Sequence, residues 1–141
     1  MVRLPPVFLS LVGLTLLSGC ATWYHVQPGT LPPASVAIPL EQREAVWRRA
    51  VTVLIDQGYV PQVLNEAACY ILAKRREDID NDALAGTMAL FSITPDGRVR
   101  LEISGAGLFH SAQQFITAIG QRQDKILKLI VNQSFDREAK P

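Results

Sequence analysis

The chain has 141 residues, 48% of them hydrophobic and 19% charged, a balance that folds rather than stays disordered. Lys and Arg number 14 against 13 Asp and Glu, and the signs balance once Arg3 is set aside. Neutrality without a basic cluster argues against a nucleic-acid partner, because phosphate recognition leans on Lys and Arg.

In chain order, Arg3 is followed by an apolar run over residues 7–17, diluted by Ser10, Gly13 and Thr15. A spanning helix needs about 20 apolar residues, so this run is expected to be the core of a secretory signal and not a transmembrane anchor. It closes on Leu17-Ser18-Gly19-Cys20. Those four residues resemble the lipobox of bacterial lipoproteins. The resemblance implies a signal peptide over residues 1–19, a signal-peptidase motif at Leu17, Ser18 and Gly19, and acylation of Cys20, which becomes the first mature residue. One acyl chain, at about 0.8 kcal/mol per buried CH2, anchors only marginally. Lipoproteins of this kind carry three, palmitate among them, which makes attachment practically permanent. Ala21 stands where an Asp commonly retains Gram-negative lipoproteins at the inner membrane. The implied location is therefore the cell outer membrane with the domain facing the periplasm; a Gram-positive host would void that step. With Cys20 lipidated, Cys69 is left alone and no intramolecular disulfide is expected.

Residues 20–39 read as a Pro-rich tether, with Pro28, Pro32, Pro33 and Pro39 beside Gly29 and no helical period. Trp23 and Tyr24, close to the lipid, are expected either at the headgroup layer or docked on the domain. A first helix is expected over residues 40–57, with Ala45, Trp47, Ala50, Val51, Leu54 and Ile55 on its apolar face and Gly58 as the stop. Trp47 lies in that stripe and reads as a core anchor. The period then changes to two, giving strands over 59–64 and 69–74 joined at Asn65-Glu66-Ala67. Pro61 lacks a ladder donor and places the first of them on an edge. Cys69 reads as a small buried hydrophobe.

Asp78, Asp80 and Asp82 echo the opening of a calcium loop, but Ala83 stands where the sharp-turn Gly belongs and Ala89 where the closing Glu belongs. A solvated hairpin loop is the expectation. Pro95-Asp96-Gly97 is a three-residue hairpin turn, and it pairs Thr94 with Arg98. Ile93, Phe91 and Ala89 then face Val99, Leu101 and Ile103 on one side, while Ser92 and Leu90 face Arg100 and Glu102 on the other. The second side is not uniformly polar. Met88 and Leu90 lie on it, Tyr70 and Leu72 are placed to join them, and Arg100 flanks the group. These five residues form a candidate interaction patch, the alternative being that the tether or the last helix covers them.

Ser104-Gly105-Ala106-Gly107 lacks the third Gly or the Lys-Ser/Thr pair of a phosphate loop and reads as a strand-to-helix connection. Ser111 reads as an N-cap, and His110 and His25 have no acid beside them, so neither a catalytic site nor a metal site is expected. A second helix is expected over 112–132, buried through Ala112, Phe115, Ile116, Ile119, Ile126, Leu127 and Ile130, with a polar tail over 133–141.

The order α-β-β-β-β-α over residues 40–132 implies an α+β two-layer domain, an antiparallel sheet of three to four strands with two helices packed on one face. Val46-Trp47-Arg48-Arg49-Ala50-Val51-Thr52-Val53-Leu54, followed by Gly58-Tyr59-Val60 and strands, resembles the domains of small bacterial envelope lipoproteins, among them the C lipoprotein of the outer-membrane β-barrel assembly machine. The resemblance implies the fold and carries over no functional residue. The function expected is a non-enzymatic, membrane-tethered interaction or scaffold module of the cell envelope, with no cofactor, no metal, and an envelope protein as partner. The alternative is a small-ligand or lipid-binding periplasmic domain.

Overall fold

The computed structural model describes residues 21–76 and 84–139, without the side chains of 85, 86 and 132–139. Its elements are β1 (Thr22–Val26), β2 (Ala34–Ala37), a 3-10 turn (Leu40–Gln42), α1 (Arg43–Asp56), β3 (Tyr59–Asn65), β4 (Tyr70–Arg75), β5 (Leu84–Ile93), β6 (Arg98–Phe109) and α2 (Ala112–Ala139). The fold is α+β with one antiparallel sheet, and the sheet has six strands rather than three or four. β3 to β6 form a meander, and β1 and β2 both pair with the remaining flank of β6.

The two additional strands come from the stretch expected to be a tether. Its prolines lie between strands and not within them: Pro28, Pro32 and Pro33 fall after β1 and before β2, and Pro39 follows β2. Thr22-Trp23-Tyr24-His25-Val26 is rich in β-branched and aromatic residues, the types that suit a pleated surface. Tyr24 stacks on Phe115 of α2 with ring centroids 5.7 Å apart, and Phe109 meets the same ring at 5.5 Å. Of the two adjacent aromatics, Tyr24 therefore docks on the domain while Trp23 stays 64% exposed.

The β5–β6 hairpin has the expected register, with Ile93, Phe91 and Ala89 opposite Val99, Leu101 and Ile103. Thr94 N–H donates to the Arg98 carbonyl at 2.9 Å, and Gly97 takes φ +89°. Gly97 also touches the chain between β2 and the 3-10 turn: its carbonyl accepts Ile38 N–H at 2.8 Å, and a Cβ there would sit 2.6 Å from the Ile38 oxygen. Past Met88 the register slips against β6, and Thr87 turns into the core to share a 3.2 Å hydrogen bond with the Tyr59 hydroxyl.

α1 packs against β3, β4 and β5, α2 against β6 and β2, and the helices pack on each other. The stripe of α1 is rotated from its expected position. Val46, Trp47, Ala50, Val53 and Leu54 are buried, whereas Ala45 and Ile55 are exposed. Burial needs one narrow arc, and 46, 50, 53 with 47, 54 span that arc better than a set containing 45 and 55. Gly58 at φ +90° ends the helix, with its N–H on the Ile55 carbonyl. On α2, Phe115, Ile119, Ile126, Leu127 and Ile130 are buried as expected, but Ala112 and Ile116 face outward. The helix runs to Ala139, so residues 133–139 continue it instead of forming a separate tail.

The stripe of α2 includes one polar member, Gln123, 5% exposed. β1 occupies β6 at 105–109 and β2 occupies it at 98–101, which leaves a gap in the ladder. Gln123 fills it: Oε1 accepts Ile103 N–H at 2.9 Å and Nε2 donates to the Pro32 carbonyl at 3.3 Å. A buried backbone donor without a partner costs about 1–3 kcal/mol, so the side-chain amide stands in for the missing strand residue.

Candidate functional site: the sheet face opposite the buried side chains

Along β4, β5 and β6 the odd-numbered side chains are buried: Ile71, Ala73, Ala89, Phe91, Val99, Leu101 and Ile103. Strand alternation therefore sends the even-numbered ones to the opposite face. The ladder aligns them in rows. Tyr70 lies opposite Ser92, which lies opposite Arg100, which on its other flank lies opposite Ser35. The next row is Leu72, Leu90 and Glu102, and the third is Lys74, Met88 and Ser104. Tyr70, Leu72, Met88, Leu90 and Arg100 are thus brought together on one surface. The four apolar members are half-buried and Arg100 is exposed.

The loop between β1 and β2 forms a wall along this surface. Gly29 N–H donates to the Glu102 carboxylate, and Arg98 donates to the Ser35 hydroxyl at 3.0 Å. Between residues 29–33 and a floor of Leu90, Ser92, Arg100 and Glu102 lies a groove of about 330 Å³. The floor follows from hairpin register. The wall was not legible because residues 27–33 read as tether; the one sequence signal for it was the β-forming run immediately before them. Between helices and sheet, Leu54, Ile71, Phe91, Ile119 and Ile130 are fully buried.

Chemically, this face presents apolar side chains flanked by Lys74, Arg98 and Arg100 and by Glu102, which serves non-covalent contact. Among the described residues no three His, Cys, Asp or Glu side chains gather in a way that would hold a metal ion. Ser111 is engaged as a helix cap, its hydroxyl accepting Gln114 N–H at 3.1 Å. Cys69 is buried in the β3–β4 turn at φ +50°, with its sulfur 3.5 Å from the Glu66 carbonyl. Elsewhere, burial and the nearby Arg122 push the Arg75 guanidinium below its ordinary value, and Tyr59 pulls it the other way. Leu17, Ser18, Gly19 and Cys20, and likewise Asp78, Asp80 and Asp82, lie outside the described residues. No described helix is long and apolar enough to cross a membrane. No protein-family model matches the chain. No curated protein is significantly similar to it.

Proposed function

We propose that the protein is a lipid-anchored component of the cell envelope, held through acylated Cys20 at the periplasmic side of the outer membrane, and that it acts there as a non-enzymatic interaction module. The observation that carries this is Leu17-Ser18-Gly19-Cys20 at the end of a short apolar run, followed by Ala21. The contact surface is the cluster of Tyr70, Leu72, Met88 and Leu90 beside Arg100, in a domain read as two layers with both helices against the other face. Confinement to a membrane raises effective concentration, so a shallow apolar surface of this kind can serve a weak partner.

Fractionation tests the anchor. Cys20→Ala is expected to fold normally and leave the membrane fraction; a variant that stays membrane-bound defeats the reading. Crosslinking in intact envelopes tests the surface. A partner protein should be captured by the native chain and lost in Leu90→Lys, and recovery of the protein alone counts against a scaffold role. The groove of about 330 Å³ favours one second reading, a small ligand held between residues 29–33 and the sheet. Ligand recovered on native extraction, displaced by Ser92→Trp, would support it.

A further inference from the structure

The two strand segments that meet just after Cys20 carry no formal charge. The sequence contains no Asp, Glu, Lys or Arg over residues 21–40, and none again over 103–121. The sheet brings these two runs together, with Thr22 opposite Phe109, Trp23 opposite Leu108 and Tyr24 opposite Gly107. Tyr24 and Val26 turn to the buried side. Alternation then sends Trp23 and Leu108 to the other side, where they are 64% and 47% exposed. Ile116, 41% exposed, follows Phe115 near the start of α2 at the same end of the molecule.

We propose that Trp23 and Leu108 rest in the interfacial layer of a lipid bilayer, so that the domain stands on the membrane by its β1 corner; this rests on the reading of Cys20 as acylated. Two observations select a bilayer as the occupant. First, Trp23 follows Cys20 by three residues, at most about 10 Å of extended chain, and Thr22 is already in the ladder. An acylated Cys20 leaves no slack with which the corner can stand off. Second, the uncharged β1 edge approaches low dielectric without stripping water from an ion of its own, and an indole joins apolar area to one N–H donor, the combination that favours the headgroup boundary. The segment carrying Glu77, Asp78, Asp80 and Asp82 joins β4 to β5. β5 is two strand positions from β1, about 10 Å at the usual strand spacing, with Leu84 opposite Gly107, so the contact is confined to the β1 edge itself.

The test uses the full acylated protein in phosphatidylethanolamine–phosphatidylglycerol vesicles, with and without brominated acyl chains. Trp23→Phe supplies the emission of Trp47 alone for subtraction. The Trp23 component is expected to shift to the blue on reconstitution and to be quenched by the brominated lipid. Leu108→Glu should abolish both effects while the protein still floats with the vesicles, and Leu108→Ser, which adds no charge, should weaken them in the same direction. A protein that is acylated by mass and floats, but whose Trp23 emission is indifferent to the bilayer, overturns the proposal and leaves the anchor standing. A mature protein without acyl mass removes the anchor and the proposal together. A blue shift that grows with protein concentration in the absence of lipid would assign the corner to a second copy and also overturn it.

Discussion

β6 has two flanks that are held in different ways. On one side β5 pairs with it through a local turn, from Ile93 opposite Val99 to Ala89 opposite Ile103 without interruption. On the other, β1 and β2 pair with its far and near halves, separated by a loop and bridged by the Gln123 side chain. The first flank is fixed by contacts a few residues apart, the second by contacts that join residues 22–37 and Gln123 to the last strand. Long-range pairing closes larger loops before any contact forms, so the second flank is the one whose integrity depends on single side chains.

Four measurements would break or sharpen this contrast. Phe91→Ala removes a fully buried ring from the β5 flank and should cost about 3–5 kcal/mol in urea unfolding; a loss near zero would mean that the hairpin is not the structural centre. Gly97→Ala should cost about 2–3 kcal/mol, because it forces a side chain into φ +89° against the Ile38 carbonyl. It acts on both flanks, since the turn also holds the chain that enters α1. Gln123→Leu leaves Ile103 N–H and the Pro32 carbonyl without their partner and should cost about 1–3 kcal/mol. Hydrogen exchange should accelerate at the Ile103 amide, whereas Gln123→Glu keeps an acceptor and preserves that protection. Unchanged exchange at Ile103 in the Leu variant would deny Gln123 its bridging role.

The smallest effect concerns the turn itself. The Thr94 hydroxyl, the Asp96 backbone amide and Arg98 hold the Asp96 carboxyl below its ordinary 3.8. A depressed folded-state value stabilises the fold above the unfolded value, and that contribution is lost as pH falls through the folded one. An NMR titration of Asp96 should give a midpoint below 3.8, less depressed in Thr94→Val; a midpoint at or above 3.8 in the native chain would contradict the geometry.

The same contrast accounts for what could be read in the residues alone. Turn chemistry and alternation are local, so Pro95-Asp96-Gly97 and the rows on either side of it were legible down to the register. The edge position of β3 was legible from Pro61. β1 and β2 were not, because proline density signals the absence of helix and says nothing about the strands between the prolines. Gln123 stands in phase with Ile119, Ile126 and Ile130, and only the gap in β6 explains a polar residue there. The α1 stripe was displaced because Ala45 and Ile55 fit the spacing by type, while packing chose Val46 and Val53. Tyr70, Leu72, Met88, Leu90 and Arg100 could be grouped in advance because cross-strand neighbours follow once one register is known.

β3 is an outer strand of the sheet, and it carries Val60, Val63 and Leu64 at 43%, 45% and 51% exposure. An edge so apolar would ordinarily invite another chain to add a strand. Pro61 removes one backbone donor, and the register shift between Pro61 and Val63 breaks the two-residue repeat that an added strand would have to follow. Where copies of the molecule meet, that small irregularity keeps neighbours from zipping into continuous sheet.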